Sequence, residues 1–391
     1  MNNLNLKIED NTLIIALSGR IDSVNAAEIG GEIDAHITAV PHNDVIIDAE
    51  NLEYISSAGL RILLRIRKNA KKMQIVNASH EVYDILEMTG FTEMMPVKKA
   101  YRKISVDGCD VIGTGATGTV YRLDDDIIVK VYNEGYSVGD IHRERELAKK
   151  AFVRGIPTAI PFDVVKVGDS YGSVFELLRA KSLAELIAEN PADTDRYINL
   201  SSELMKTIHS ITAQEGELPS VKENALAVAD YMSAFLPAEK SEKFKRMTEE
   251  IPDCLNTVHG DLHIKNLMMQ NGELVLIDMD TLCHGHPIFE FAPLYNAYLG
   301  YSEVDKNNTL EFFGIPYETG ERICRETLKR YLGDDGERFR QAEDKIRLMG
   351  YAFLYRDFTS SGMPEGNDRL CADAYLNYIN TLLDRVDSFI F

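Results

Sequence analysis

Asp261, Asn266 and Asp278 hold hard oxygens at short, defined spacing. Asp261 and Asn266 lie five residues apart. Asp278 follows a strand–turn–strand pattern, Leu267–Met269 and Leu274–Ile277 around Asn271-Gly272. Asn-Gly between two apolar runs is a strong two-residue hairpin signal, so the second acid is predicted to close the base of that hairpin. Magnesium-bound triphosphate chemistry needs this kind of set: few hard oxygen ligands on a fixed frame, plus one carboxylate to accept the proton of an attacking hydroxyl.

A second cluster lies upstream. Gly113, Gly115 and Gly118 form G-x-G-x-x-G in Val111–Val120. Glycines let backbone amides approach phosphate oxygens, and the same pattern also opens dinucleotide-binding helices. Here the glycines run into Thr119–Leu123, an acidic turn at Asp124–Asp126, and Ile127–Tyr132. That is strand, turn and strand rather than strand and helix. Lys130 sits among apolar residues of the second strand, where a lysine needs a phosphate or carboxylate partner. The charged helix after Gly139 offers Glu144 or Glu146 as that partner, with Glu144 preferred. Two further strands, Phe162–Val167 and Tyr171–Leu178, lead into a helix from Ala184.

The stretch H-G-D-L-H-I-K-N followed by the hairpin and Asp278, with the glycine loop and Lys130 before it, resembles the aminoglycoside phosphotransferase-like kinases, which include choline and homoserine kinases. The resemblance is specific over about residues 108–300. It implies ATP and Mg²⁺ as cofactors, Asp261 as catalytic base and Asn266 and Asp278 as metal ligands. It further implies that Gly113, Gly115, Gly118 and Lys130 hold the nucleotide's phosphates, that Glu144 completes the nucleotide site by pairing with Lys130, and that backbone groups from Glu176 to Leu178 contact adenine. Three positions depart from the family pattern: Ile264 for Pro, Lys265 for a small residue and Glu290 for the usual later Asp. None removes a ligand or the base. The four histidines His259, His263, His284 and His286 are spaced too widely to suggest a metal centre.

The elements that position these groups follow from periodicity. Residues 1–104 alternate strands (Leu4–Ile8, Thr12–Leu17, Val45–Ala49, Met73–Val76) with helical patterns (Ala26–Ile37, Leu60–Ile66, Val82–Met88), an α/β arrangement of a small sheet with helices on one face. Ser56 and Ser57 fall between strand and helix, where a serine caps the helix and a phosphate would also be tolerated. With L-S-G-R-I-D-S and L-E-M-T-G-F around it, this part resembles the STAS domain of anti-sigma factor antagonists. That resemblance implies a regulatory module with a protein partner, and Ser57 as phosphoacceptor. The residue before it, often Asp in that family, is Ser56.

Three segments are thus expected: a STAS-like domain at 1–104, a kinase-like N-lobe at 105–178 and a mostly helical C-lobe at 179–391. The last two form an α+β bilobal protein-kinase-like fold. Apolar residues make up 45% of the chain, ample for buried cores. The formal charge of −20, carried mostly beyond residue 107, disfavours nucleic acid and anionic membrane partners and would favour a cationic acceptor. No run of about 18 apolar residues or signal-peptide pattern is present. Five scattered cysteines show no C-x-x-C pair, so neither a disulfide framework nor a zinc site is expected and a reduced cytoplasm fits. The expected function is phosphoryl transfer from ATP to a hydroxyl of a small-molecule acceptor. The alternatives are a nucleotide-binding signalling protein with little turnover, or a kinase acting on a protein serine.

Overall fold

The computed structural model describes residues 4–9, 11–39, 44–115, 117–333 and 336–391. Asp10 of the first turn and Ala116 of the glycine loop lie outside them. The chain divides into two compact units, Met1–Ile104 and Ser105–Phe391.

The first unit is a sheet of five strands in sequence order: Leu4–Glu9, Thr12–Ile21, Asp44–Ile55, Lys72–Ala78 and Val97–Lys99. The first pair is antiparallel and the rest are parallel. Leu13, Ile15, Leu17, Val45, Ile47 and Ile75 are buried at alternate positions, so one face carries the core. Helices Ala26–Ala39, Ser57–Asn69 and His80–Met88 supply the covering stripe, as in Leu60, Leu63 and Ile66. The third strand extends well past the expected Ala49 to Ile55. Leu52 and Ile55 continue the buried pattern after a register irregularity near Ser18, which a strict alternation of apolar residues does not reveal.

In the second unit the strands Pro161–Val167, Ser170–Glu176, Ile127–Tyr132, Gly118–Arg122 and Val111–Thr114 pair antiparallel in that order. The helix Val138–Val153 packs on them, started by a Ser137–Asp140 capping box. The rest is chiefly helical: Thr194–Ser210, Val221–Met232, Ala238–Glu249, Ile288–Tyr298, Tyr317–Leu332, Glu337–Thr359 and Gly366–Leu382. Glu337–Thr359 is the longest and is buried around Leu348–Tyr355, where it is apolar on every side. A short helix, Asn307–Phe313, was not expected: seven residues are too few to show a helical period. Among the described residues no helix is long and apolar enough to cross a membrane.

Candidate active site

The hairpin forms as its turn residues require. Asn271 and Gly272 both take positive φ, 53° and 88°, the conformation of a type I′ turn, and the strands Leu267–Gln270 and Glu273–Leu276 pair around them. Val258 pairs with Cys283, so the two ends of the whole loop–hairpin segment are tied together. Between them the chain turns at Gly260, φ 83°, where a Cβ would come within 3.0 Å of the Thr281 carbonyl. Only glycine fits there without a shift.

Glu290 holds this turn from below. It is fully buried, and its carboxylate accepts from the amides of His259 at 2.7 Å and Gly260 at 3.0 Å. His209 Nε2 lies 3.3 Å from the same carboxylate, and His209 Nδ1 meets the Tyr331 hydroxyl at 2.8 Å. Burial alone would raise the Glu290 pKa; the His209 contact and the His259 amide overturn that and hold it below the usual range. Glu290→Gln keeps the shape but has one acceptor oxygen for two amide donors. It is expected to cost about 2 kcal/mol in denaturant unfolding. Unchanged stability would mean that the loop does not depend on this carboxylate.

Asp261 follows the turn. Its Oδ2 accepts from Asn266 Nδ2 at 3.0 Å, and His263 Nε2 lies 3.5 Å from Oδ1. The His259 ring accepts from the Asp261 amide through Nδ1 at 3.2 Å. Burial, then the charge of Asp278, push the Asp261 carboxyl up to about 7. Burial and the same neighbour raise Asp280 to about 6, and burial holds His263 near 4, so that it is neutral at neutral pH. The sign for stability follows from proton counting. In the metal-free fold Asp261 keeps a proton that the unfolded chain releases near pH 4. Stability therefore falls as pH rises from about 4 to about 7. The side chain keeps 40% of its surface open, so water moderates the effect. Asp261→Asn is expected to flatten this slope in melts taken from pH 4 to 8; a slope identical to that of the parent would contradict it.

Asp278 sits at φ 64°, ψ 70°, a left-handed conformation that Asp tolerates better than most residues. Lys130 donates to Asp278 Oδ1 at 3.0 Å and to Glu144 Oε1 at 2.9 Å. Glu144 thus faces the lysine, while Glu146 pairs with Arg145. Burial would lower the Lys130 pKa, but Asp278 and Glu144 outweigh it and leave it raised. The three glycines differ. A Cβ at Gly118 would meet the Val131 carbonyl at 2.2 Å, whereas Gly113 and Gly115 have room around them. The loop is closed by the Gly115 amide donating to the Gly118 carbonyl at 2.9 Å.

At the junction of the lobes, the Glu176 amide donates to the Ile160 carbonyl and its carboxylate accepts from the Ile160 amide. Leu177 donates to Asp126. Glu176 therefore has its amide and carboxylate engaged inside the N-lobe, and among the described residues the Leu178 amide has no hydrogen-bond partner. In the first unit Ser56, not Ser57, is the cap, its hydroxyl accepting from the Gly59 amide at 3.4 Å. Ser57 is the exposed first residue of the helix.

A cavity of about 1060 Å³ opens beside Asp261. Asp280, Glu311, Phe312 and Asp357 line it, with Arg143 from the N-lobe helix. Sequence reasoning missed these. Asp280 had a signal, an acid two residues after Asp278. Glu311 and Phe312 lie on the unexpected short helix. Asn266 donates its amide nitrogen to Asp261; its side-chain oxygen and the Asp278 carboxylate are hard oxygens of the kind that could hold a divalent ion. Among the described residues no three His, Cys, Asp or Glu side chains gather in a metal-binding group.

Comparison with known proteins matches both parts of the chain to family models. The model of the STAS domain matches residues 3–104, and that of the phosphotransferase enzyme family matches residues 108–321. BtrV of Bordetella bronchiseptica, named as an anti-sigma factor antagonist, is 33% identical over 92 residues, 22% of this chain and 78% of that protein. An anti-sigma F factor antagonist of Paenibacillus polymyxa is 25% identical over 101 residues, 24% of this chain and 86% of that protein. The solved aminoglycoside phosphotransferase APH(4)-Ia, in complex with AMP-PNP and hygromycin B, matches at 12% identity and TM-score 0.48 over 71% of this chain and 93% of that one. With more than half its length matched, the chain belongs to the phosphotransferase enzyme family, and it carries a STAS domain at its N-terminal end.

Proposed function

We propose that the chain transfers the γ-phosphoryl group of ATP to a hydroxyl of a small, positively charged acceptor. The observation that carries this is that Lys130 bridges Glu144 and Asp278, while Asn266 holds Asp261, which lines a cavity together with further acids. The acceptor enters the cavity, where Asp280, Glu311 and Asp357 favour a cation. Asp261 takes the hydroxyl proton. The acceptor oxygen bonds to phosphorus while the bond to the β–γ bridging oxygen breaks, and that electron pair leaves on ADP. Lys130, held by Glu144, and the glycine-rich loop of Gly113, Gly115 and Gly118 orient the phosphates. Magnesium bound at Asn266 and Asp278 would neutralise charge on the β- and γ-phosphates. The Leu178 amide reads the base.

The STAS domain serves regulation: the surface around exposed Ser57 is read by a protein partner. The short catalytic reach of a small-molecule pocket argues against Ser57 being the substrate of its own kinase domain. One experiment tests both statements. The full chain is incubated with Mg-ATP and amino alcohols, aminoglycosides or sugars, and read by mass spectrometry. A +80 Da acceptor with protein of unchanged mass is expected. A +80 Da protein that disappears in Ser57→Ala and in Asp261→Asn would instead make the chain an autophosphorylating switch.

A further inference from the structure

The catalytic loop carries one cation that the reading above leaves unused. Lys265 lies between Asp261 and Asn266 in sequence, and it is exposed. Its ammonium stands 4.3 Å from the centroid of the Phe312 ring. That ring meets the His263 imidazole edge to face, centroids 5.5 Å apart, and His263 Nε2 lies 3.5 Å from Asp261 Oδ1. Lysine, ring, imidazole and base form one continuous series of contacts. Its last three members line the cavity proposed for the acceptor.

The charge on Lys265 is uncommitted. Among the described residues its ammonium meets the ring but no carboxylate within ion-pair distance. Two other cations of the same unit differ. Lys130 bridges two carboxylates, and Arg356 holds Asn224 and Asp357. An unpaired lysine on Phe312, a ring that lines the cavity with Asp261, Asp280, Glu311 and Asp357, in a chain of formal charge −20, is not explained by acceptor binding, since it would repel a cation. It suits an anion that arrives during the reaction. An exposed ring holds a cation weakly, whereas a charge-assisted hydrogen bond to a phosphate oxygen is strong, so the head group can exchange one for the other.

We propose that Lys265 is a further catalytic residue, whose ammonium leaves Phe312 to contact the non-bridging oxygens of the phosphoryl group as it passes to the acceptor. The inference rests on the phosphotransferase reading above. Negative charge spreads over those oxygens in the transition state, so a donor that swings in from Phe312 at that stage lowers the barrier without binding the ground state more tightly. Lys130 serves the phosphates from the nucleotide side and Lys265 from the acceptor side.

The test needs no acceptor. Calorimetry compares binding of Mg-ADP with and without fluoroaluminate, which mimics the phosphoryl group in transfer, to the full chain and to Lys265→Met and Lys265→Arg. Lys265→Met is expected to bind Mg-ADP like the parent but to lose about tenfold or more of the fluoroaluminate enhancement. Lys265→Arg should keep most of it. Full enhancement in Lys265→Met, with the parent enhanced, overturns this inference alone. Equal loss in both variants points to packing on Phe312 and overturns it too. No enhancement in the parent overturns the phosphotransferase reading together with it.

Discussion

Asp261→Asn is expected to bind Mg-ATP as tightly as the parent and to transfer phosphate about 10³-fold more slowly. Asparagine fits the site. Its carbonyl can still accept from Asn266 Nδ2, and its amide can face His263 Nε2, so the loop keeps its shape. What disappears is the only function that shape cannot supply, a carboxylate that takes the hydroxyl proton. The carboxyl is also poised for it: burial and Asp278 bring it to about 7 in the metal-free protein, near the pH at which a base must both be ionised and accept a proton readily. Initial rates for the acceptor found by mass spectrometry, together with nucleotide calorimetry, check the result. Unchanged turnover in the variant would remove Asp261 from the chemistry. Lost nucleotide binding would show a structural role instead.

Asp278→Ala is expected to weaken Mg-ATP binding by about 100-fold or more while leaving metal-free nucleotide binding nearly intact, because metal ligands matter at least as much as the groups that orient them. The change has a side effect. Alanine is strained at φ 64°, and Lys130 keeps only Glu144 as partner. Asp278→Asn is the companion variant, since Asn tolerates that backbone and cannot offer a full charge to the metal. Calorimetry with magnesium and with EDTA separates the two effects. Equal loss in both arms, in both variants, would make Asp278 a structural anchor of Lys130 rather than a metal ligand.

What was legible in the sequence was local. Asn271-Gly272 demands positive φ twice in succession, which few structures other than a tight hairpin supply. Lys130 among Ile127, Ile128, Val129 and Val131 could not be buried without acids, and two acids meet it. Where the reading depended on phase it left choices open. Glu144 and Glu146 are two apart on one helix and so face different sides; only the packing of that helix on the sheet selects Glu144. Ser56 and Ser57 differ by one position, and the first helical residue decided which became the cap. What remained invisible was tertiary. Glu290 grips amides some thirty residues away, and His209 reaches it from another helix. No spacing in the sequence announces either contact. The acidic wall of the cavity is likewise assembled from Asp280, Glu311 and Asp357, on three separate elements.

The most direct test follows one phosphate. The full chain is mixed with ATP labelled in the γ-phosphoryl group, magnesium and a panel of hydroxyl-bearing cations, and the label is traced by chromatography. The expected result is label on an acceptor, in step with ADP, abolished by EDTA and nearly abolished in Asp261→Asn. ATP that binds but stays whole across the panel, in parent and variant alike, would contradict phosphoryl transfer and leave a nucleotide-binding signalling protein in its place.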